Sequence, residues 1–207
     1  MTKFRSIYKK HQIRNKRIKV TKLPDRVLRQ RIKKQTAQMA EQLQEMIDRG
    51  FRIIYLDETM ITKGTIPNRE WTPKKQRLQI DHSQFAREVI AIVVGISREN
   101  GVDFVMSFEN SVNKAKFKVC LDEIRRRYFF DDICIVMDNL AVHRCNEIID
   151  RMDELGLEYV FTPAYSPDFN PIESVFSIFK NSFKRMRIHA IQHGLECSYY
   201  HQIQLHF

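Results

Sequence analysis

The chain has 207 residues, of which 43% are hydrophobic, so it can bury one sizeable core and is most simply one domain with appendages. Its formal net charge of +10 favours a polyanionic partner, either nucleic acid or an acidic membrane surface. No uninterrupted apolar stretch reaches the length of a membrane span, and no apolar stretch follows the basic N-terminus, so the sequence argues against membrane insertion and secretion. The 4 cysteines lack CxxC spacing, which favours reduced thiols in the core.

The first 34 residues contain most of the excess positive charge, because 14 lysines and arginines stand there against one acid, Asp25. This composition predicts an arm that binds phosphate groups, and a solvated tail is the alternative interpretation. From Asp25 to Arg49 apolar residues recur at helical spacing, and Gly50 ends the predicted helix. The candidate DNA contacts in this arm are Lys9, Lys10, Arg14, Lys16, Arg17 and Lys19.

The first half of the predicted core consists of strands. Phe51 to Asp57 is a short apolar run that ends on a carboxylate, and residues 61–66 are predicted to return as a second strand behind a turn. Val89 to Ser97 is the most strand-like run in the chain. It is predicted to pair with Val102 to Phe108 as a β-hairpin around the turn at residues 98–101.

The second half alternates between helices and strands. A strand over residues 133–137 ends at the Asp138-Asn139 pair, and a short strand is predicted over 159–161. Helices are predicted over 114–128, 143–155 and 174–186. Hairpins followed by this alternation predict an α/β fold with a mixed central sheet and helices on both faces.

Three acids stand where these elements begin or end. Asp57 and Asp138 each follow a strand, and Glu173 lies in the first turn of a helix that begins after a proline. Taken singly, each has an ordinary structural interpretation, as a cap, a turn former or a partner of the helix dipole. Glu58 points to the strand face opposite Asp57 and is left out, and Asp168 is interpreted as a residue that shapes its loop.

Three clustered carboxylates repel each other unless a cation neutralises them. Oxygen-only ligands favour Mg²⁺ or Mn²⁺ over zinc. Two such ions, roughly 3.5 to 4 Å apart, support in-line phosphoryl transfer without a covalent enzyme intermediate. The three acids therefore predict a two-metal site for phosphoryl transfer.

Three blocks of sequence resemble a known family. Leu-Asp57-Glu-Thr, Met-Asp138-Asn-Leu-Ala-Val-His143 and the block from Tyr165 to Glu173 look like the signature blocks of Tc1/mariner transposases, a branch of the DDE integrase superfamily. Residues 139 to 172 place 34 positions between the second Asp and the Glu, a spacing similar to that of the family. The resemblance extends from about Phe51 to Lys180.

The resemblance implies an RNase H-like catalytic core, a DNA endonuclease and polynucleotidyl transferase that cuts transposon ends and joins them to target DNA. It places the catalytic, metal-binding triad on Asp57, Asp138 and Glu173. It further implies a homodimer within a nucleoprotein complex, located in the nucleus of a eukaryote or in the cytoplasm and nucleoid of a bacterium. The implied division is a basic arm and linker helix at 1–50, the catalytic domain at 51–186 and an unassigned tail at 187–207.

Several residues are candidates for supporting roles. His143 resembles the histidine that closes the second family block, and it has two interpretations: a partner of a carboxylate or of DNA, or a helix-start residue bonded to the backbone. Asn139 and Trp71 are further candidates, and Lys74 and Lys75 beside the tryptophan are candidate phosphate contacts. The pair His189 and His193 has zinc-compatible spacing, but without a third ligand chance is the favoured interpretation.

Two alternatives to an active enzyme follow from departures from the family pattern. The family's paired helix-turn-helix modules are reduced here to a basic segment, so the resemblance implies a chain shortened at its N-terminus. A catalytically silent remnant that only binds DNA is one alternative. The other is an assembly partner of a full-length transposase, which would pair subunits through the apolar helix around Phe176 to Phe183.

Overall fold

The structure is a computed structural model that describes residues 26–62, 65–66, 89–163 and 169–193. The chain divides into two compact units, Met1–Arg31 and Ile32–Phe207, and of the first unit only the start of one helix is described. In chain order the elements are α1 (Arg26–Asp48), β1 (Arg52–Thr62), β2 (Val89–Ser97), β3 (Gly101–Glu109), α2 (Lys114–Arg127), β4 (Ile133–Met137), α3 (Asn146–Glu154), β5 (Leu157–Phe161) and α4 (Ile172–Gln192).

The five strands form one mixed sheet in the order β3-β2-β1-β4-β5. The antiparallel half is a meander, in which β1 pairs with β2 and β2 pairs with β3. Gly101, with φ of 73°, supplies the left-handed conformation at the hairpin turn between β2 and β3. The parallel half is a βαβ unit, in which β4 lies parallel to β1 and β5 parallel to β4, with α3 as the connection. The mixed sheet predicted from the sequence is confirmed.

One face of the sheet packs against α2 and α3 and is called the α2/α3 face. Side chains alternate along a strand, so Ile54 and Leu56 of β1 point to this face together with Ile135 and Met137 of β4. Their partners on the helices are Phe117, Cys120, Leu121, Ile124, Ile148 and Met152, all of them buried.

The opposite face is covered by two helices and is called the α1/α4 face. Over β4 and β5, Met39 of α1 packs against Cys134, Val136 and Val160. Over β1 and β2, helix α4 covers a separate apolar cluster. That cluster consists of Ile61, Ile90, Ile92, Val94, Ile96, Ile172, Phe176, Phe179 and Phe183.

The apolar side of α4 is therefore used within the chain. Phe176, Phe179 and Phe183 are 7%, 4% and 0% exposed, because they pack against the sheet. The hypothesis that this side of the helix pairs subunits is wrong for these three side chains. The large apolar side chain that α4 does expose is Ile178, on the other side of the helix.

Strand β1 is longer than the sequence indicated. A turn after Asp57 and a return strand over residues 61–66 were predicted, but β1 continues straight through Asp57 to Thr62. The cause is the pairing with β2, which extends from Tyr55↔Ile96 to Thr62↔Val89 and supplies backbone partners along this whole length. Asp57 therefore lies within the strand and does not end it.

Two helices also differ from the predicted bounds. Helix α3 begins at Asn146, because Cys145 is extended with ψ of 147° and the amides of His143 and Arg144 bond to the carbonyl of Leu140 in a turn. Helix α4 runs from Ile172 to Gln192, longer at both ends than the predicted 174–186. The helix ending before Gly50, the hairpin strands, α2 and β4 agree with the prediction.

Cys120 and Cys134 are buried free thiols, as predicted, and burial raises the pKa of each to about 12. Cys197 lies outside the described residues. Across the described ranges, no helix is both long and apolar enough to cross a membrane.

Candidate active site

The register of the parallel strands brings Asp57 and Asp138 together. Strand β1 pairs with β4 up to Tyr55↔Val136. Asp57 follows Tyr55 by two residues, and Asp138 follows Val136 by two residues, so the two acids lie side by side. Because side chains alternate, both lie on the α1/α4 face. The negative charge of Asp138 acts directly on the ionisation of Asp57. The structure thus joins the two predicted acids at the carboxyl end of β4.

Both oxygens of Asp57 accept hydrogen bonds. Oδ1 accepts from the backbone amide of Glu58 at 2.7 Å, and Oδ2 accepts from Nδ2 of Asn170 at 2.8 Å. Burial raises the pKa of the Asp57 carboxyl, and the neighbouring charge of Asp138 raises it further, while the two hydrogen bonds and the charge of His143 lower it. The net pKa is above the ordinary aspartate value, so this carboxylate is electrostatically disfavoured.

Asp138 is held by the turn that follows β4. Its Oδ1 accepts from the backbone amide of Leu140 at 3.3 Å and lies 2.8 Å from Nδ1 of His143. The side chain of Asp138 is 34% exposed. The buried ring of His143 therefore holds Asp138, while about a third of the Asp138 side chain remains accessible to solvent.

His143 is buried between two carboxylates. Its side chain is 1% exposed, its Nδ1 faces Asp138, and its Nε2 lies 3.4 Å from Oε1 of Glu58. The imidazole stacks on Phe117 of α2 with ring centroids 4.7 Å apart. Burial opposes protonation, but the hydrogen bonds to Asp138 and Glu58 outweigh it and raise the pKa of His143 to about 9. Of the interpretations left open by the sequence, the structure favours the partner of a carboxylate.

Two residues of this site were missed by sequence reasoning. Glu58 does point to the face opposite Asp57, as predicted, but there it reaches His143. Strand alternation predicted the direction of this side chain, but no local sequence pattern indicates that its partner is His143. Asn170 lies in the third block that resembles the family, and the sequence predicted no role for it. A buried carboxylate such as Asp57 is nevertheless expected to need a hydrogen-bond donor, which Asn170 supplies.

Asn139, the residue after Asp138, lines an open cleft. Its Oδ1 accepts a hydrogen bond from Nη1 of Arg144 at 3.1 Å. The cleft has a volume of about 730 Å³ and separates α1 from the end of β5. Its lining includes Gln35, Gln38, Gln42, Glu41, Tyr159 and Thr162.

Glu173 lies where the sequence placed it, in the first turn of α4, and is exposed. Among the described residues no three His, Cys, Asp or Glu side chains form a group that could hold a metal ion. The metal-binding role of Glu173 stays a prediction. His189 and His193 have ring centroids 4.3 Å apart, and the same absence of a third ligand applies to them.

The predicted DNA contacts and the candidate supporting residue Trp71 lie outside the described residues. Asp168 lies outside them as well. The predicted DNA contacts are Lys9, Lys10, Arg14, Lys16, Arg17, Lys19, Lys74 and Lys75.

The family model of the DDE superfamily endonucleases, DDE_3, matches residues 52–195. The chain belongs to this family. The match covers β1, β4 and α4, the elements that contain Asp57, Asp138 and Glu173, and it confirms the superfamily assigned from the three sequence blocks.

Solved structures of Mos1 mariner transposase are similar in fold to this DDE superfamily chain. The Mos1 transposase paired-end complex with left transposon end is 14% identical with a TM-score of 0.59, covering 98% of this chain and 66% of that chain. The Mos1 mariner paired end complex with Mn is 16% identical with a TM-score of 0.59, covering 86% of this chain and 56% of that one. The catalytic domain of Mos1 mariner transposase is 18% identical with a TM-score of 0.56, covering 79% and 74%.

These similarities confirm the predicted RNase H-like fold. The chain spans 56% to 66% of the length of the Mos1 chains in the two paired-end complexes. No curated protein matches the sequence.

Proposed function

We propose that this chain is the catalytic part of a DDE transposase, which cuts DNA at transposon ends and joins those ends to target DNA in a divalent-metal-dependent reaction. The observation that supports this most is the Asp57–Asp138 pair at the end of β4, in a chain that the DDE endonuclease family model matches. Two carboxylates on one partly buried face repel each other, and the pKa of Asp57 stays raised even with the charge of His143 nearby, so a bound cation explains the pair better than folding does.

The donors of this site suit Mg²⁺ or Mn²⁺. Carboxylate oxygens are hard ligands that these ions prefer, and neither a thiol nor a neutral imidazole faces the α1/α4 side of the pair among the described contacts. The proposed ligands are Asp57, Asp138 and Glu173, with Glu173 completing the set from the first turn of α4. Mos1 structures similar to this chain were solved with Mn and with Mg.

The protein groups around the pair hold each carboxylate in one orientation. Asn170 and the amide of Glu58 fix Asp57, while His143 and the amide of Leu140 fix Asp138. When bound, two divalent ions supply Lewis-acid activation of a water or a DNA 3′-hydroxyl and stabilisation of the leaving oxygen. Preorganised carboxylates keep the cost of orienting these ligands out of the reaction itself.

The proposed partner is DNA. The net charge of +10 favours a polyanion, and the basic candidates at Lys9 to Lys19 and at Lys74 and Lys75 are the proposed phosphate contacts. One of the similar Mos1 structures is a paired-end complex with left transposon end, and by analogy we propose a homodimer on paired DNA ends. The proposed location is the compartment that holds the genome, the nucleus in a eukaryote and the nucleoid in a bacterium.

The test is nicking of supercoiled plasmid by the purified chain in Mn²⁺, in Mg²⁺ and in EDTA. We expect nicking that needs the metal and that falls by at least about 10³-fold in Asp57→Asn and in Asp138→Asn, since each removes a ligand charge. Asp150→Asn, an exposed aspartate on α3, is the matched control and should nick like the wild type.

The outcome separates the enzyme from a silent remnant. A folded wild-type chain that binds DNA with a steep salt dependence but nicks no faster than the Asp138→Asn variant would overturn the proposed enzyme and leave a DNA-binding protein. Equal nicking by wild type and both aspartate variants would show that the active groups lie elsewhere.

A further inference from the structure

Glu58 contacts Asp57 directly and is linked to Asp138 through His143. The backbone amide of Glu58 donates to Oδ1 of Asp57 at 2.7 Å. Its side chain reaches Asp138 through an intermediate, because Oε1 of Glu58 lies 3.4 Å from Nε2 of His143, and Nδ1 of the same ring lies 2.8 Å from Oδ1 of Asp138. A continuous line of contacts therefore connects Glu58 on the α2/α3 face, through His143, to the acidic pair on the α1/α4 face.

This line of contacts is built into a packed part of the core. The His143 side chain is 1% exposed, that of Glu58 is 21% exposed, and Phe117 holds the imidazole by stacking at 4.7 Å. A glutamate and an imidazole on the face that packs against α2 and α3 are costly compared with apolar side chains of similar volume. Folding alone does not account for them, since Ile54 and Leu56 occupy the same face of the same strand.

We propose that Glu58 is a positioning residue of the active site, which fixes the orientation of Asp138 through His143. This inference rests on the proposed function, because the orientation of Asp138 matters only if Asp138 binds metal. Glu58 itself faces away from the pair, so it is not proposed as a metal ligand or as a group that touches DNA.

The expected effect is on metal affinity. Without the Glu58 carboxylate, the imidazole of His143 keeps its stacking on Phe117 but loses the acceptor that fixes its rotation about the Cβ–Cγ bond. Asp138 then samples orientations that do not suit the ion. Partners that orient metal ligands typically contribute about 10- to 100-fold to metal affinity or activity.

The first experiment measures Mn²⁺ binding to the full chain without DNA, from the electron paramagnetic resonance signal of the free ion. Glu58→Ala should raise the dissociation constant for Mn²⁺ by about 10- to 100-fold. Glu58→Gln keeps an oxygen that accepts from Nε2 of His143 and should restore most of that loss. Glu158→Ala, an exposed glutamate on β5, is the matched control and should bind Mn²⁺ like the wild type.

A second experiment tests whether Glu58 acts through His143. His143→Asn keeps a donor near the position of Nδ1 and removes the group that faces Glu58. Adding Glu58→Ala to His143→Asn should then weaken Mn²⁺ binding no further, whereas independent effects would multiply. Plasmid nicking at increasing Mn²⁺ gives a parallel readout, in which Glu58→Ala should raise the half-saturating Mn²⁺ concentration more than it lowers the maximal rate.

The outcomes distinguish this inference from the function on which it rests. If the wild type neither binds Mn²⁺ nor nicks DNA, the proposed function fails. If the wild type does both and Glu58→Ala binds Mn²⁺ equally well, with a melting temperature near that of the wild type, the positioning role is overturned. Binding as weak in Glu58→Gln as in Glu58→Ala would also overturn it, because the charge of Glu58 and not its contact with His143 would then matter.

Discussion

The two faces of strand β1 place neighbouring carboxylates beside groups of opposite kind. On the α2/α3 face, Glu58 is matched by a buried imidazole that also serves Asp138. On the α1/α4 face, Asp57 stands beside another acid, and burial together with that charge raises its pKa. Two acids adjacent in sequence therefore differ in their nearest charged neighbour, which is an imidazole for Glu58 and a second carboxylate for Asp57.

This difference indicates where the function lies. The α2/α3 face is locally consistent at Glu58, since this carboxylate is paired with His143 and the apolar groups around it are buried together. The α1/α4 face contains a conflict at the Asp57–Asp138 pair, where two like charges meet. Such local conflicts are expected at functional sites, where a ligand supplies what the fold lacks.

The largest expected effect on stability is on the α2/α3 face. Phe117 is 1% exposed and supports both the core and the ring of His143, so Phe117→Ala should lower the free energy of unfolding by about 3 to 5 kcal/mol. Urea denaturation measures this loss. Ile178→Ala, which truncates an exposed side chain on α4, is the control and should stay within about 0.5 kcal/mol. A similar loss in both variants would contradict the contrast between packed and exposed positions.

The second prediction concerns pH in the metal-free chain. The pKa of His143 is raised from 6.5 to about 9, so its contribution to stability is fully present below pH 6.5 and is lost as pH rises through 9. That contribution is on the order of 3 kcal/mol. The urea midpoint of unfolding should fall more steeply with increasing pH in the wild type than in His143→Gln. Parallel pH profiles for the two proteins would show that the imidazole is not held between charged carboxylates.

The third prediction tests how closely the α2/α3 face is packed. A Cβ on Gly95 would lie 3.1 Å from Cγ2 of Ile54 and 3.1 Å from Cβ of Phe104. Gly95→Ala should therefore cost about 1 to 3 kcal/mol through overpacking, measured by urea denaturation. Ser107→Ala on the neighbouring strand β3 is the control, expected within about 0.5 kcal/mol. A stabilised Gly95→Ala variant would mean that this face has room for a methyl group.

The smallest expected effect is on the α1/α4 face. Asn170→Ala removes the donor to Oδ2 of Asp57 and should cost about 1 kcal/mol of stability at neutral pH. The same hydrogen bond lowers the pKa of Asp57, so its removal should raise that pKa further, which an NMR titration of the carboxyl carbon can follow. Asn181→Ala on the exposed side of α4 is the control. An unchanged Asp57 titration would contradict the contact.

Local patterns in the sequence predicted much of this structure. Strand β4 and the hairpin β2-β3 follow from short apolar runs between turns, and the two aspartates follow from carboxylates at or near the ends of such runs. Helix α1 ends before Gly50, whose φ of 85° suits a helix end. In each case the residues that determine the element are its own neighbours.

What the sequence did not predict depends on distant residues. The length of β1 beyond Asp57 is set by pairing with β2, which is more than 25 positions away along the chain. The contact of Glu58 with His143 joins residues 85 positions apart, and that of Asn170 with Asp57 joins residues 113 positions apart. Contacts of this kind form only when the sheet and helices are assembled, so no local sequence pattern predicts them.

The most direct test of the account is the position of a bound metal ion. A crystal of the chain soaked in Mn²⁺, measured for anomalous scattering, should show a peak roughly 2.0 to 2.3 Å from carboxylate oxygens of both Asp57 and Asp138, and the same map shows whether Glu173 is a ligand. A peak bound elsewhere, such as between His189 and His193, with none at the aspartate pair at Mn²⁺ concentrations that support nicking, would contradict the account.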